Sequence, residues 1–78
     1  MGTDFTKTKM KDKYERILTK NGVVKKIVVA VHLPTGAIEL IFNSDDIENK
    51  FNAYMTAYDE DMHLNTNKSI YIIDCMIL

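Results

Sequence analysis

Six of the eleven positions from Val23 to Leu33 are β-branched, and Pro34-Thr35-Gly36 ends the run abruptly. β-Branched side chains suit a pleated strand, while proline fixes φ and glycine tolerates positive φ in the turn. The residues beyond continue as a second strand: Ala37 to Asn43 sets Ile38, Leu40 and Phe42 on one face and Glu39 on the other. The first of these strands is apolar on both sides, since Ile27, Val29 and Val31 alternate with Val24, Val28 and Ala30. Any fold of this chain must therefore cover a sheet from two directions.

The flanking segments supply the remaining elements. Tyr14 to Thr19 alternates loosely, and Asn21-Gly22 is a strong short hairpin signal because both central positions of a type I′ turn take positive φ. This predicts a strand folding back on Val23 to Leu33 and hence a three-stranded meander. A helix follows, with Ser44 or Asp45 as its cap and Glu48 placed three residues after Asp45 as in a capping box. Ile47, Phe51, Tyr54, Met55, Tyr58 and Met62 recur at intervals of three and four, one stripe of an amphipathic helix. After a polar turn from His63 to Asn67, Ile70 to Leu78 reads as a closing strand, with Ile70, Ile72, Met76 and Leu78 alternating against Tyr71, Ile73, Cys75 and Ile77. The expected fold is α+β, a small two-layer domain over residues 1–78 in the order β-β-β-α-β. Residues 1–12, rich in lysine and poor in anything to bury, read as a mobile basic arm.

Seventy-eight residues lie near the size at which one core is only marginally stabilising and outside help is common. Cys75 is the lone cysteine, so no intrachain disulfide forms, and its distance in sequence from His32 and His63 matches no zinc spacing. Self-association then becomes the expected remedy for the second apolar sheet face, giving a homodimer; the alternative is that the basic arm folds back over it. No apolar run approaches the ~20 residues of a membrane span, and no signal peptide opens the chain, so a cytoplasmic location is expected. Met1-Gly2 with Thr6, and Asn67-Lys68-Ser69, match the myristoylation and glycosylation patterns, both short enough to arise often by chance.

Enzymatic chemistry finds little support. Cys75 sits in an apolar strand, where a thiol behaves as a small hydrophobe, and there is no glycine-rich phosphate loop among three glycines. His32 and His63 are able to meet in space, but a lone surface or core histidine is the commoner case. Asp74, inside the last strand, needs the rim of the sheet or a lysine partner to be tolerated. No catalytic residue, cofactor or metal site is therefore expected.

Charge is sorted along the chain. Residues 1–26 hold eight basic side chains against three acidic ones, a net of +5, whereas residues 27–78 hold two against eight, a net of −6. Such asymmetry concerns partners more than fold. The acid gathers at two places on the expected helix: Asp45, Asp46 and Glu48 at its start, Asp59, Glu60 and Asp61 near its finish. Were the helix to run through Met62, the two groups would be centred about 20 Å apart on one rod; were it to stop near Tyr58, Asp59 would cap a further turn. Carboxylates held at such a span can occupy a cleft built for phosphates.

A chain this short, without signal, cofactor motif or cysteine framework and with acid concentrated on one helix, resembles the small host-takeover proteins of bacteriophages. These include acidic DNA mimics directed at the nucleoid protein HU. The resemblance implies an inhibitor that blocks a basic DNA-binding host protein, such as a nucleoid-associated protein, in the cytoplasm of a bacterial host. The alternatives are a generic protein-interaction module and direct nucleic-acid binding by Lys7, Lys9, Lys11 and Lys13, which an extended arm would project from one side.

Overall fold

The computed structural model describes residues 6–43 and 45–78 and is an α+β domain with two helices and a four-stranded antiparallel sheet. In chain order the elements are α1 (Lys7–Asn21), β1 (Ile27–Leu33), β2 (Gly36–Phe42), α2 (Ile47–Met55), β3 (His63–Leu64) and β4 (Asn67–Ile77). The strand order is β2-β1-β4-β3. The expected β-β-β-α-β order and single helix are thus replaced by α-β-β-α-β-β.

The main correction is at the start of the chain. Residues 7–21 form a helix, so neither the strand from Tyr14 to Thr19 nor an extended arm over residues 7–12 exists; residues 1–5 of the expected arm lie outside the described residues. Met10, Tyr14, Ile17 and Leu18 lie on one helical face and pack toward the core. Thr6 is the N-cap, its hydroxyl accepting from the Lys9 N–H at 3.2 Å. Gly22 adopts φ 77 and donates its N–H to the Leu18 carbonyl at 2.8 Å. Asn21-Gly22 is thus a helix terminus, and the left-handed glycine that suggested a hairpin closes a helix instead.

The turn at Pro34-Thr35 joins β1 to β2 as expected, with Val31 opposite Ile38, Val29 opposite Leu40 and Ile27 opposite Phe42. Ile27, Val29 and Val31 are buried, and both helices cover this face of the sheet. On the other side of β1, the register with β4 shifts after Ala30: Ala30 opposes Asp74 but Val31 opposes Ile72. The β-bulge inserts one residue, so Ile72 and Cys75 both point into the core while Ile73 and Asp74 between them are exposed. Strict alternation had assigned Cys75 and Ile77 to the opposite face from Ile72; the bulge joins all three. Asp74 takes Lys13 of α1 as its partner, Nζ to Oδ1 at 3.1 Å.

β3 is a short addition that the sequence read as turn. Its hairpin to β4 turns at Asn65-Thr66, with Leu64 opposite Asn67 and His63 opposite Tyr71. The core closes with Phe51, Met55, Tyr58 and Met62, and Phe42 meets Phe51 edge-on with ring centroids 5.6 Å apart.

Replacing Gly22 by Ala should lower stability by roughly 1 kcal/mol, the cost of a Cβ in the left-handed region. Nothing lies within 4 Å of the added carbon, so the loss would come from the backbone alone. Urea denaturation of the variant checks this.

Candidate functional site

α2 places the first acidic group. Asp46 holds the N-cap position with φ −107 and ψ 40, but its carboxylate accepts from the Asn49 side-chain amide at 2.8 Å and makes no capping bond to the backbone. The capping box expected from Asp45 to Glu48 is therefore not formed, and Ser44, the other proposed cap, lies outside the described residues. Asp45, Asp46 and Glu48 are all exposed.

The second acidic group does not share this helix. α2 has nine residues, about 13 Å of rod, and the chain turns away after Met55. Asp59 sits in the turn beyond, where its Oδ1 accepts the N–H groups of Asp61 and His63, each at 3.0 Å, and its Oδ2 meets Lys68 Nζ at 2.6 Å. These partners, the Lys68 hydrogen bond foremost, hold the Asp59 carboxyl below its ordinary value of 3.8. The same turn forces Met62, fully buried, to φ 68. A non-glycine residue tolerates this because the Met62 N–H is tied to the Asp59 carbonyl and its own carbonyl accepts from Ile72. The shorter-helix alternative, with Asp59 capping a further turn, is the one found.

Glu60 has a different task. Its carbonyl accepts from the Lys7 N–H at 3.0 Å, and its Oε1 accepts from the Thr8 hydroxyl at 2.6 Å and the Thr8 N–H at 3.3 Å. Together with Thr6, which receives Lys9 and Met10, this satisfies the first four N–H groups of α1. The carboxylate also stands at the positive end of the helix dipole. Asp61 remains exposed in the turn.

The helices leave a groove of about 470 Å³ between them. Met10, Tyr14, Phe51 and Met55 supply its apolar surface, with the Tyr14 and Phe51 rings stacked at 6.4 Å. Glu15 of α1 and Glu48 of α2 line it from opposite helices, and Lys11 and Lys7 stand one and two turns before Glu15. Burial first, then Glu48 and Glu15, push the Tyr14 hydroxyl above its ordinary value of 10.0. Glu15 was missed in the sequence because Tyr14 to Thr19 read as a strand; on a helix, its spacing of four from Lys11 marks it as a neighbour on the same side.

The other chemistry-bearing residues are placed as follows. Burial pushes the Cys75 thiol up to about 12, opposite to what a nucleophile requires. His32 and His63 do come together, each against Tyr71, with centroids at 4.6 and 5.1 Å. Tyr54 and Tyr58 share a hydrogen bond of 2.5 Å; burial first, and then this bond, raise the Tyr54 hydroxyl strongly. Lys7 and Lys11 line the groove whereas Lys13 reaches Asp74, so the four lysines expected on one side of an arm are divided between two sides of α1. Among the described residues no group of three or more histidine, cysteine or carboxylate side chains is placed to hold a metal ion, and no helix is long and apolar enough to cross a membrane.

No protein-family model matches this chain, and neither curated proteins nor solved structures gave a significant match.

Two outcomes follow from the turn. Glu60→Ala should destabilise the fold by on the order of 1 kcal/mol, and Glu60→Gln by less because it keeps an acceptor, as read by urea denaturation. Asp59 binds its proton more weakly when folded than when unfolded, so its contribution is complete above the unfolded value of 3.8 and is lost as pH falls through the lower folded value. Asp59→Asn should therefore flatten the pH dependence of stability below about pH 4, measured by acid titration of the unfolding midpoint.

Proposed function

We propose that this chain is a non-enzymatic binding protein that engages a basic, DNA-binding partner through carboxylates on its helical layer and competes with DNA for that partner. The observation that carries this reading is the cluster of three exposed carboxylates, Asp45, Asp46 and Glu48, at the start of α2, with Glu15 of α1 on the groove beside it and none of the four in an ion pair among the described residues. Asp45 and Asp46 precede Glu48 by three and two residues and extend the charge. The exposed carboxylates at the start of α2 raise the local negative potential and favour a cationic partner, Lys7 and Lys11 offset Glu15 and Glu48 within the groove itself, and the half-buried Tyr14 offers apolar anchorage. Asp61 is exposed in its turn, whereas Asp59 and Glu60 have structural work of their own. The reading rests on charge and anchorage rather than on a 20 Å spacing along one rod, which a nine-residue α2 does not supply. Inhibition of a host nucleoid protein in a bacterial cytoplasm is the form of this function that the resemblance to phage takeover proteins suggests.

A second reading has an observation of its own. Lys9, Lys13, Arg16 and Lys20 follow at intervals of four, three and four on α1, which is one face of a helix. Such a stripe suits a phosphate backbone.

Competition binding separates the two. The wild type should displace DNA from a basic nucleoid-type protein, with affinity falling as salt rises. The combined variant Asp45→Asn, Asp46→Asn, Glu15→Gln and Glu48→Gln should bind about tenfold more weakly, roughly 1.4 kcal/mol, with far-UV circular dichroism verifying that it is folded. If the wild type shifts DNA in a gel without any partner, and Arg16→Gln with Lys20→Gln abolishes the shift, the basic stripe is the working surface.

A further inference from the structure

The sheet face away from the helices carries an ordered pattern across its strands. Ile41, Val28 and Met76 are mutual register partners on β2, β1 and β4 and form one row, with Ile41 and Met76 each 57 % exposed. The next row toward the start of β1 holds Lys26 and Leu78. These two exchange both backbone hydrogen bonds, at 3.3 and 2.9 Å, one position beyond the Ile27–Ile77 pair, so alternation puts them on the open face. The row on the opposite side holds Glu39, Ala30 and Asp74. Read along β1, the face is basic, then apolar, then acidic.

This order is self-complementary. We propose that the open face binds a second copy of the chain, related by a two-fold axis that lies between the two sheets and runs across the strands along the Ile41–Val28–Met76 row. The rotation lays this apolar row on its own copy and exchanges the rows on either side. Lys26 then lies over Ala30 of the second copy, with Glu39 and Asp74 one strand spacing, about 4.8 Å, to each side. Asp74 already shares its charge with Lys13, so Glu39 is the main counter-charge. On β4 the same exchange sets Leu78 over Asp74 of the second copy, next to the exposed Ile73 at the bulge. The reverse rotation, about an axis along the strands, would stack the acidic row on itself, and like charges in register oppose it. A sheet packed face to face at ~10 Å buries such side chains between its layers. A stable interface takes roughly 800 Å² from each partner, about a sixth of the 5126 Å² this chain exposes. The proposal uses the sheet side of the molecule and stands whether or not the helical layer binds a basic partner.

Sedimentation equilibrium on the isolated full chain tests it, with no other protein present. The wild type should give twice 9.0 kDa at high micromolar concentration. Lys26→Glu and Glu39→Lys, both at exposed positions, should each reduce the mass about twofold, as should Met76→Glu; far-UV circular dichroism and the urea midpoint verify that each variant is folded. The double variant Lys26→Glu with Glu39→Lys should restore the dimer, because the rotation pairs these two sites. A monomeric wild type at every concentration overturns the proposal, and so does a dimer that survives the single variants, which would place the contact at a sheet edge. A double variant that stays monomeric overturns the charge registration and with it this arrangement.

Discussion

A four-stranded sheet has two faces, and this chain has helix enough for one. α1 and α2 contribute fifteen and nine residues, and both lie on the side of Ile27, Val29 and Val31. Burial of apolar area is worth roughly 25 cal/mol per Å², so the covered face holds the core and the rest of the architecture arranges itself around it. β1 is central in the sheet and supplies three fully or nearly fully buried side chains. The bulge in β4 lets Ile72, Cys75 and Ile77 join them although their sequence spacing breaks the two-residue period. The uncovered face is left with Ile41 and Met76 in solvent, and a domain stabilised by only ~5–15 kcal/mol has reason to shield such residues.

The turn from Asp59 to Met62 couples the two layers. Asp59 organises it from within through two backbone N–H groups and Lys68, and Glu60 reaches out of it to the start of α1. Met62 drives into the core from a left-handed backbone position that these bonds maintain. A short acidic run thus acts here as a set of hydrogen-bond acceptors for backbone amides, which favours carboxylates for reasons unrelated to a partner. By contrast, Glu15 and Glu48 face one groove from separate helices, and among the described residues neither has an ion pair within 4.0 Å. This difference is why the candidate surface moves from the end of α2 to its beginning.

Several elements were legible because the signal was local. Pro34-Thr35-Gly36 between two alternating runs produced the β1–β2 hairpin, and the three-and-four spacing from Ile47 to Met55 produced α2. The start of the chain was misread because the same glycine conformation serves two structures. Asn21-Gly22 suits a type I′ turn, and Gly22 at φ 77 equally suits the end of a helix. Met10, Tyr14, Ile17 and Leu18 carried the deciding helical period, and Thr6 the cap. The stripe through Tyr58 and Met62 overran α2 because those side chains enter the same core from an irregular turn, where apolar spacing alone does not distinguish helix from loop.

The sequence by itself determined that the chain is α+β, where its central hairpin turns, that Asp74 requires a lysine or the rim, and that more apolar sheet surface exists than one helix can hide. These follow from residue type and near-neighbour spacing. Tertiary structure alone decided that Lys13 is the partner of Asp74, that Cys75 shares a face with Ile72, that His32 and His63 flank one tyrosine, and that Glu15 stands across a groove from Glu48. Each of these depends on strand register or on how a helix rests on the sheet. Both are settled by packing between residues distant in the chain, which no local pattern encodes.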